Sequence, residues 1–350
     1  MAGRLLPLDA LRGLAVLFML EVHLGYWWAI ELPEGDPLVA LGTAFGGMAA
    51  PLFFTLAGAG LSLSKGSRPK DFLRWSMARG AVLLAAGFVF TLLTSAVYGP
   101  WGWGVLQSLG LSVMLCAAAM ALGTGPALRA GMGIALMALA PLLRWAMGVP
   151  ELLYSDQLMS VASFADYAQK ALLSGFFPLV PWTGFMLLGT AAGELIMAMP
   201  ATGGRQKGPV VTALLIPAIL IAAGGALAAR RDPLVFFPPS MAFSFLTCGI
   251  SLGALILFCA GGQNRSFMKA LGPIAPLGRL SLTAFVAHHF LGYSLASAAG
   301  LLHSFDLPAA LAMVLLAWAI ALIASFLWAR ADYRFSLEWA VRALERQSSK

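Results

Sequence analysis

Runs of about twenty apolar residues recur from one end of this chain to the other, and that recurrence restricts the possible folds. A run of this length matches the hydrocarbon thickness of a bilayer at 1.5 Å rise per residue. Inside a bilayer no water satisfies the backbone, so a spanning segment must be a helix or part of a closed barrel. The runs are too long and too uniformly apolar for barrel strands. Charged residues make up only 11% of the 350, about half the share of a soluble domain. The expected fold is an all-α, polytopic membrane bundle.

Ten spans are expected, at 8–30, 38–64, 75–97, 105–123, 130–149, 177–199, 209–229, 241–261, 280–298 and 308–329. They form a single domain over 1–350, with 331–350 as a basic amphipathic tail. The longest polar connection, 151–175, has room for a surface helix. No cleavable signal is evident, so the first segment is expected to be retained. With the N-terminus in the cytoplasm, only Arg144, Lys170, Arg230 and Arg231 fall outside, which satisfies the positive-inside rule and puts both termini in the cytoplasm. The net charge of +7 therefore reports topology, and nucleic-acid binding is not expected. Cys116, Cys248 and Cys259 are scattered in apolar runs without metal-ligand spacing, and no metal is expected.

The first span, Leu8 to Trp28, is the unusual one, because it carries Asp9, Arg12, Glu21 and His23. Ionisable groups are costly at membrane depth and face a protein interior or wet cavity. At about 100° per residue, the step from Arg12 to His23 is almost three turns, so both lie on one stripe roughly 16 Å apart. Asp9 sits a turn before Arg12, and Glu21 points to the opposite side. A structural polar pair would use this stripe as readily as a site that holds an anion at Arg12 and does base or acyl chemistry at His23.

A second cluster is Arg279 with His288 and His289. Adjacent helical residues point about 100° apart, so at most one of these histidines is expected to face a given site. Gln107 and Ser108, with Trp182 and Thr183, sit near the outer ends of their spans, where packing or an acceptor would suit them. Glu194 is expected to pair with a cytoplasmic arginine. The glycine runs at 42–47 and 56–60 lack a P-loop lysine and read as helix-packing surfaces.

Several of these stretches resemble known families. LDALRGLAVLFMLEVH, with ten residues between Arg12 and His23, resembles the Arg-x10-His signature of the transmembrane acyltransferase-3 proteins. PLFFTLAGAGLSLSKG is similar to their second helix, with Ala57 where Ser is usual. WGVLQSLGLSVML resembles bacterial relatives of heparan-α-glucosaminide N-acetyltransferase, and FFPLVPWTGFMLLGTAAGEL and LGRLSLTAFVAHHFLG resemble later signatures of the superfamily. The animal heparan acetyltransferases place their catalytic His beyond this helix, so the His23 assignment follows the acyltransferase-3 pattern.

The resemblance implies an acyltransferase of a bacterial cytoplasmic membrane. It would move an acyl group, acetyl first among them, from acyl-CoA to a hydroxyl or amine of a carbohydrate or glycolipid. Acyl-CoA would be a co-substrate, with no bound cofactor. His23 would be base or acyl carrier; Asp9, Arg12 and Arg279 would hold the CoA, aided by Lys65 and Arg68; Gln107, Trp182, His288 and His289 would face the acceptor. A homodimer is compatible with this reading. The opposing reading is a proton-coupled transporter or lipid flippase. Against it stand the lack of a convincing internal repeat and of paired broken helices.

Overall fold

The computed structural model describes residues 5–95, 99–150, 158, 160–198, 207–230, 233–262 and 264–348. The helices are α1 (Leu6–Trp28), α2 (Pro37–Gly47), α3 (Ala49–Ser67), α4 (Phe72–Leu93), α5 (Val105–Ala121) and α6 (Pro126–Ala146). They continue with α7 (Phe164–Gln169), α8 (Leu179–Ala198), α9 (Lys207–Ala213), α10 (Leu215–Ala229), α11 (Met241–Gly261), α12 (Arg265–Leu271), α13 (Ala275–Gly278) and α14 (Ser281–His288). α15 (Leu307–Arg330) and α16 (Leu337–Ser348) end the chain. Wider π-helical turns follow α7 at Lys170–Ser174 and α14 at His289–Leu295. The described residues contain no strand, so the fold is that of an all-helical integral membrane protein.

Each expected span falls mainly on helix over its described residues, with 96, 97 and 199 outside them, but not all run as one rod. Seven helical stretches among the described residues are long and apolar enough to cross a membrane: 37–67, 72–93, 126–146, 179–198, 209–229, 241–261 and 307–330. α1 carries too many charges to read as a simple span, and α5 has 17 residues. The helix expected over 280–298 runs unbroken from Ser281 to Ala298 as α14, a π-helical segment and a last turn at Ala296–Ala298, with helical dihedrals at both junctions. Its regular α ladder is lost where Trp28 Nε1 donates to the Gly292 carbonyl at 2.8 Å; an inserted side chain of this kind deforms a helix. The span expected at 38–64 bends at Met48, between α2 and α3.

The chain divides into two compact units, residues 1–53 with 258–344 and residues 54–257 with 345–350. In the first, α1 is central. Pro7 starts it, where a missing N–H costs nothing. Its last carbonyls are met from a distant segment: Trp27 O accepts from His303 N at 2.9 Å, and Trp28 O from Ser304 N and Phe305 N at 3.1 Å. Val16, Leu17, Met19, Leu20, Leu24 and Trp27 form a core with Ala49, Leu277 and Val314. Asp306 caps α15 by accepting from Ala309 N at 3.0 Å, as Asp36 caps α2 at Leu38 N.

In the second unit α8 packs on α5 and α6, and α4 on α5. Ser62 Oγ donates to Thr190 O at 2.6 Å. Arg129, fully buried, meets Glu194 at 2.6 Å and donates from Nε to Thr190 Oγ1 at 3.0 Å. Glu194 is thus paired with an arginine, as expected from its place near the end of its span.

Candidate active site

The first unit gathers ionisable groups at two levels along α1. At the lower level Arg12 Nη1 lies 3.2 Å from Asp9 Oδ1, one turn away along the same stripe. Asp9 is buried, because α13 crosses α1 there at backbone distance. A Cβ on Gly278 would run into the Asp9 carbonyl, and one on Gly13 into the Ile274 carbonyl. Beside this crossing is a cavity of about 210 Å³ lined by Leu6, Asp9, Gly272, Ala275, Pro276, Arg279 and Tyr333. The Arg279 guanidinium lies 3.7 Å from the centre of the Tyr333 ring, a cation–π stack. Asp9 and Arg279 therefore share one cavity, and Arg12 adjoins it through Asp9.

At the upper level His23 Nδ1 and His288 Nε2 are 2.9 Å apart, with near-parallel rings, 11° between planes. Trp27, one turn above His23, lies parallel to both imidazoles at 5.4 and 5.6 Å between centroids. His289 lies nearly perpendicular to Trp27 at 5.5 Å between centroids and stacks on Tyr293 at 5.4 Å. Of the adjacent pair, expected to point about 100° apart, His288 is the one hydrogen-bonded to His23. The Trp27 indole lies near-parallel to the His288 ring and near-perpendicular to the His289 ring, so both belong to one aromatic cluster.

The hydrogen bonds constrain the tautomers. His288 Nδ1 lies 3.3 Å from the Ala284 carbonyl, which can only accept. With both rings neutral, His288 carries its proton on Nδ1 and accepts at Nε2. His23 then donates from Nδ1, and its lone pair is at Nε2, which has no partner among the described residues. A lone pair held in this way can take a proton from a bound acceptor.

Gln107 and Trp182 belong to the second unit. Gln107 is fully engaged: Nε2 donates to Thr91 Oγ1 at 2.8 Å and to Gly102 O at 3.3 Å, while Oε1 accepts from Gly104 N at 3.2 Å. Trp182 is buried among Phe54, Phe177, Phe185 and Phe236, with Nε1 unpartnered among the described residues. Lys65 Nζ donates to Met120 O at 2.9 Å, and Arg68 stacks over Trp75. Glu21 packs against Gly42 and Gly46, on the other side of α1 from the histidine stripe. Among the described residues no three His, Cys, Asp or Glu side chains come together as metal ligands.

Sequence reasoning did not single out Trp27, Tyr293 or Tyr333 for this site. Trp27 and Tyr293 could have been found, each four residues beyond a histidine and so on its face of the helix. Tyr333 carries no local signal, since it reaches Arg279 from another part of the chain.

A family model described as heparan-alpha-glucosaminide N-acetyltransferase, catalytic, matches residues 4–216. A second, described as protein of unknown function (DUF418), matches residues 205–346. No curated protein matches the chain. His23 falls in the first matched region, and His288 and Arg279 in the second. With more than half of its length in the first match, the chain belongs to the heparan-α-glucosaminide N-acetyltransferase-like family of membrane proteins.

Proposed function

We propose that this protein transfers an acetyl group from acetyl-CoA to a hydroxyl or amine of a carbohydrate or glycolipid, with His23 as general base. The observation that carries this reading is the His23–His288 bond, which leaves the His23 Nε2 lone pair available. The acceptor oxygen or nitrogen attacks the thioester carbonyl carbon and gives its proton to Nε2. The carbon–sulfur bond then breaks, and the CoA thiolate takes that proton back. His288 accepts the His23 Nδ1–H throughout and so stabilises the imidazolium that forms. The same Nε2 could instead accept the acetyl group itself as an acyl-imidazole before passing it on.

The donor enters from the cytoplasmic side, where Arg12 and Arg279 attract its phosphates. The cavity beside Asp9 and Arg279, about 210 Å³, has room for a ring or a phosphate group rather than a whole acyl-CoA. The pantetheine arm would cover the roughly 16 Å from Arg12 to His23. The membrane is the cytoplasmic membrane of a bacterium.

The test is thiol release from acetyl-CoA by detergent-purified protein with mixed amino sugars and glycolipids as acceptors. His23→Ala should lower kcat by about 10²–10⁴-fold while CoA still raises the melting temperature. Arg12→Ala should weaken CoA binding by about 10-fold or more, the loss of one charge-assisted contact. Thiol release that survives His23→Ala would remove the base from the proposal. No release together with no stabilisation by CoA would favour the transporter reading.

A further inference from the structure

α14 carries His288 but has no cap of its own. Leu280 occupies the cap position and makes no side-chain bond. First-turn N–H groups have no partner within their helix, and where they are part-buried an unmet donor is costly. The acceptor comes from the far end of the chain. Glu338, in the first turn of α16, accepts with Oε1 from Leu282 N at 2.6 Å and from Thr283 N at 3.0 Å. Its Oε2 accepts from Thr283 Oγ1 at 2.6 Å, and Thr283 Oγ1 accepts in turn from Leu337 N at 3.0 Å. A carboxylate is also the charge that the positive end of a helix favours.

α14 runs on into the wider π segment, where the regular α ladder is lost, so the orientation of the turn that carries His288 depends on what holds the two sides of that junction. Beyond the C-terminal end of α14 Trp28 takes the Gly292 carbonyl. At its N-terminal end four hydrogen bonds join it to α16. Five residues further along, His288 meets His23. Just before α16, Tyr333 stacks on Arg279, so the same C-terminal segment also walls the cavity.

We propose that Glu338 is a positioning residue: it docks α16 onto the N-terminus of α14 and so sets the height and rotation at which His288 meets His23. The kinetic part rests on the reading of His23 as the base; the structural part does not.

The experiment uses the full chain in detergent, with Glu338→Ala, Glu338→Gln and Thr283→Val. Three readouts are taken: amide exchange over 281–295, the rate of His288 modification by diethyl pyrocarbonate, and steady-state CoA release. Glu338→Ala should speed exchange and His288 modification at least tenfold, leaving exchange over 179–198 unchanged. It should lower kcat at least tenfold with KM for acetyl-CoA within twofold. Glu338→Gln, whose amide oxygen still accepts from both N–H groups, should restore most of each, and Thr283→Val should fall between. If Glu338→Ala does not fold, the same ordering of Glu338→Gln and Thr283→Val against wild type decides. Wild-type exchange and His288 modification in the variants would overturn the proposal; faster modification with unchanged kcat would overturn its kinetic part and leave the docking of α16 standing. A wild type that releases no CoA would refute the transferase reading alone, and His288 modification would still decide the role of Glu338.

Discussion

Two neutral imidazoles that share one hydrogen bond have a single arrangement once one of them is committed to a carbonyl. His288 is committed to Ala284 O, and this directs the lone pair of His23 to Nε2. His288→Ala should therefore lower kcat by about 10²-fold, as loss of alignment at a reacting centre does, while KM for acetyl-CoA holds. His288→Gln, whose side-chain oxygen can still accept from His23 Nδ1, should recover part of the loss. Steady-state thiol release measures both. The stripe of Asp9, Arg12 and His23 could be read from spacing alone, because one helix repeats every 3.6 residues. Which histidine of the adjacent pair meets His23 could not be read, since the partners are 265 residues apart and no local rule relates them.

The crossing of α1 and α13 sets the geometry of the lower level. Glycines on both helices permit backbone contact there, as small residues do in membrane helices. Gly278→Ala places a methyl group against the Asp9 carbonyl, where neither backbone can yield easily. It should destabilise the protein by about 1–3 kcal/mol, the usual cost of overpacking, read as a lower melting temperature. The cavity beside Asp9 should change with it, so CoA should add less to that temperature than in wild type. Neither glycine was noted in the sequence, because nothing local shows which other helix approaches. The π segment inside the span at 280–298 escaped detection for a related reason. An apolar run reports how much chain can lie in a bilayer, and a π turn tied by Trp28 leaves that apolarity unchanged.

Across the molecule each unit contains a buried polar contact that its apolar surroundings make costly to break. In the second unit this is Arg129 with Glu194. Arg129→Leu should cost about 1–3 kcal/mol, because it removes the partner of a half-buried Glu194 carboxylate and the donor to Thr190 Oγ1. Arg129→Leu with Glu194→Leu should recover most of it, as thermal or denaturant unfolding in detergent would show. The all-helical membrane class followed from residue order without any contact being known. A bilayer core offers no water to the backbone, so length and apolarity suffice to decide it. Span number was less legible, because α1 carries Asp9, Arg12 and Glu21 and α5 is short. The pairing of His23 with His288, the stack of Arg279 on Tyr333 and the cap from Glu338 are different in kind. Each joins residues far apart in the chain, and helical periodicity fixes directions only within one helix. Their meeting depends on packing, where a glycine lets two backbones touch and a carboxylate finds an uncapped helix end.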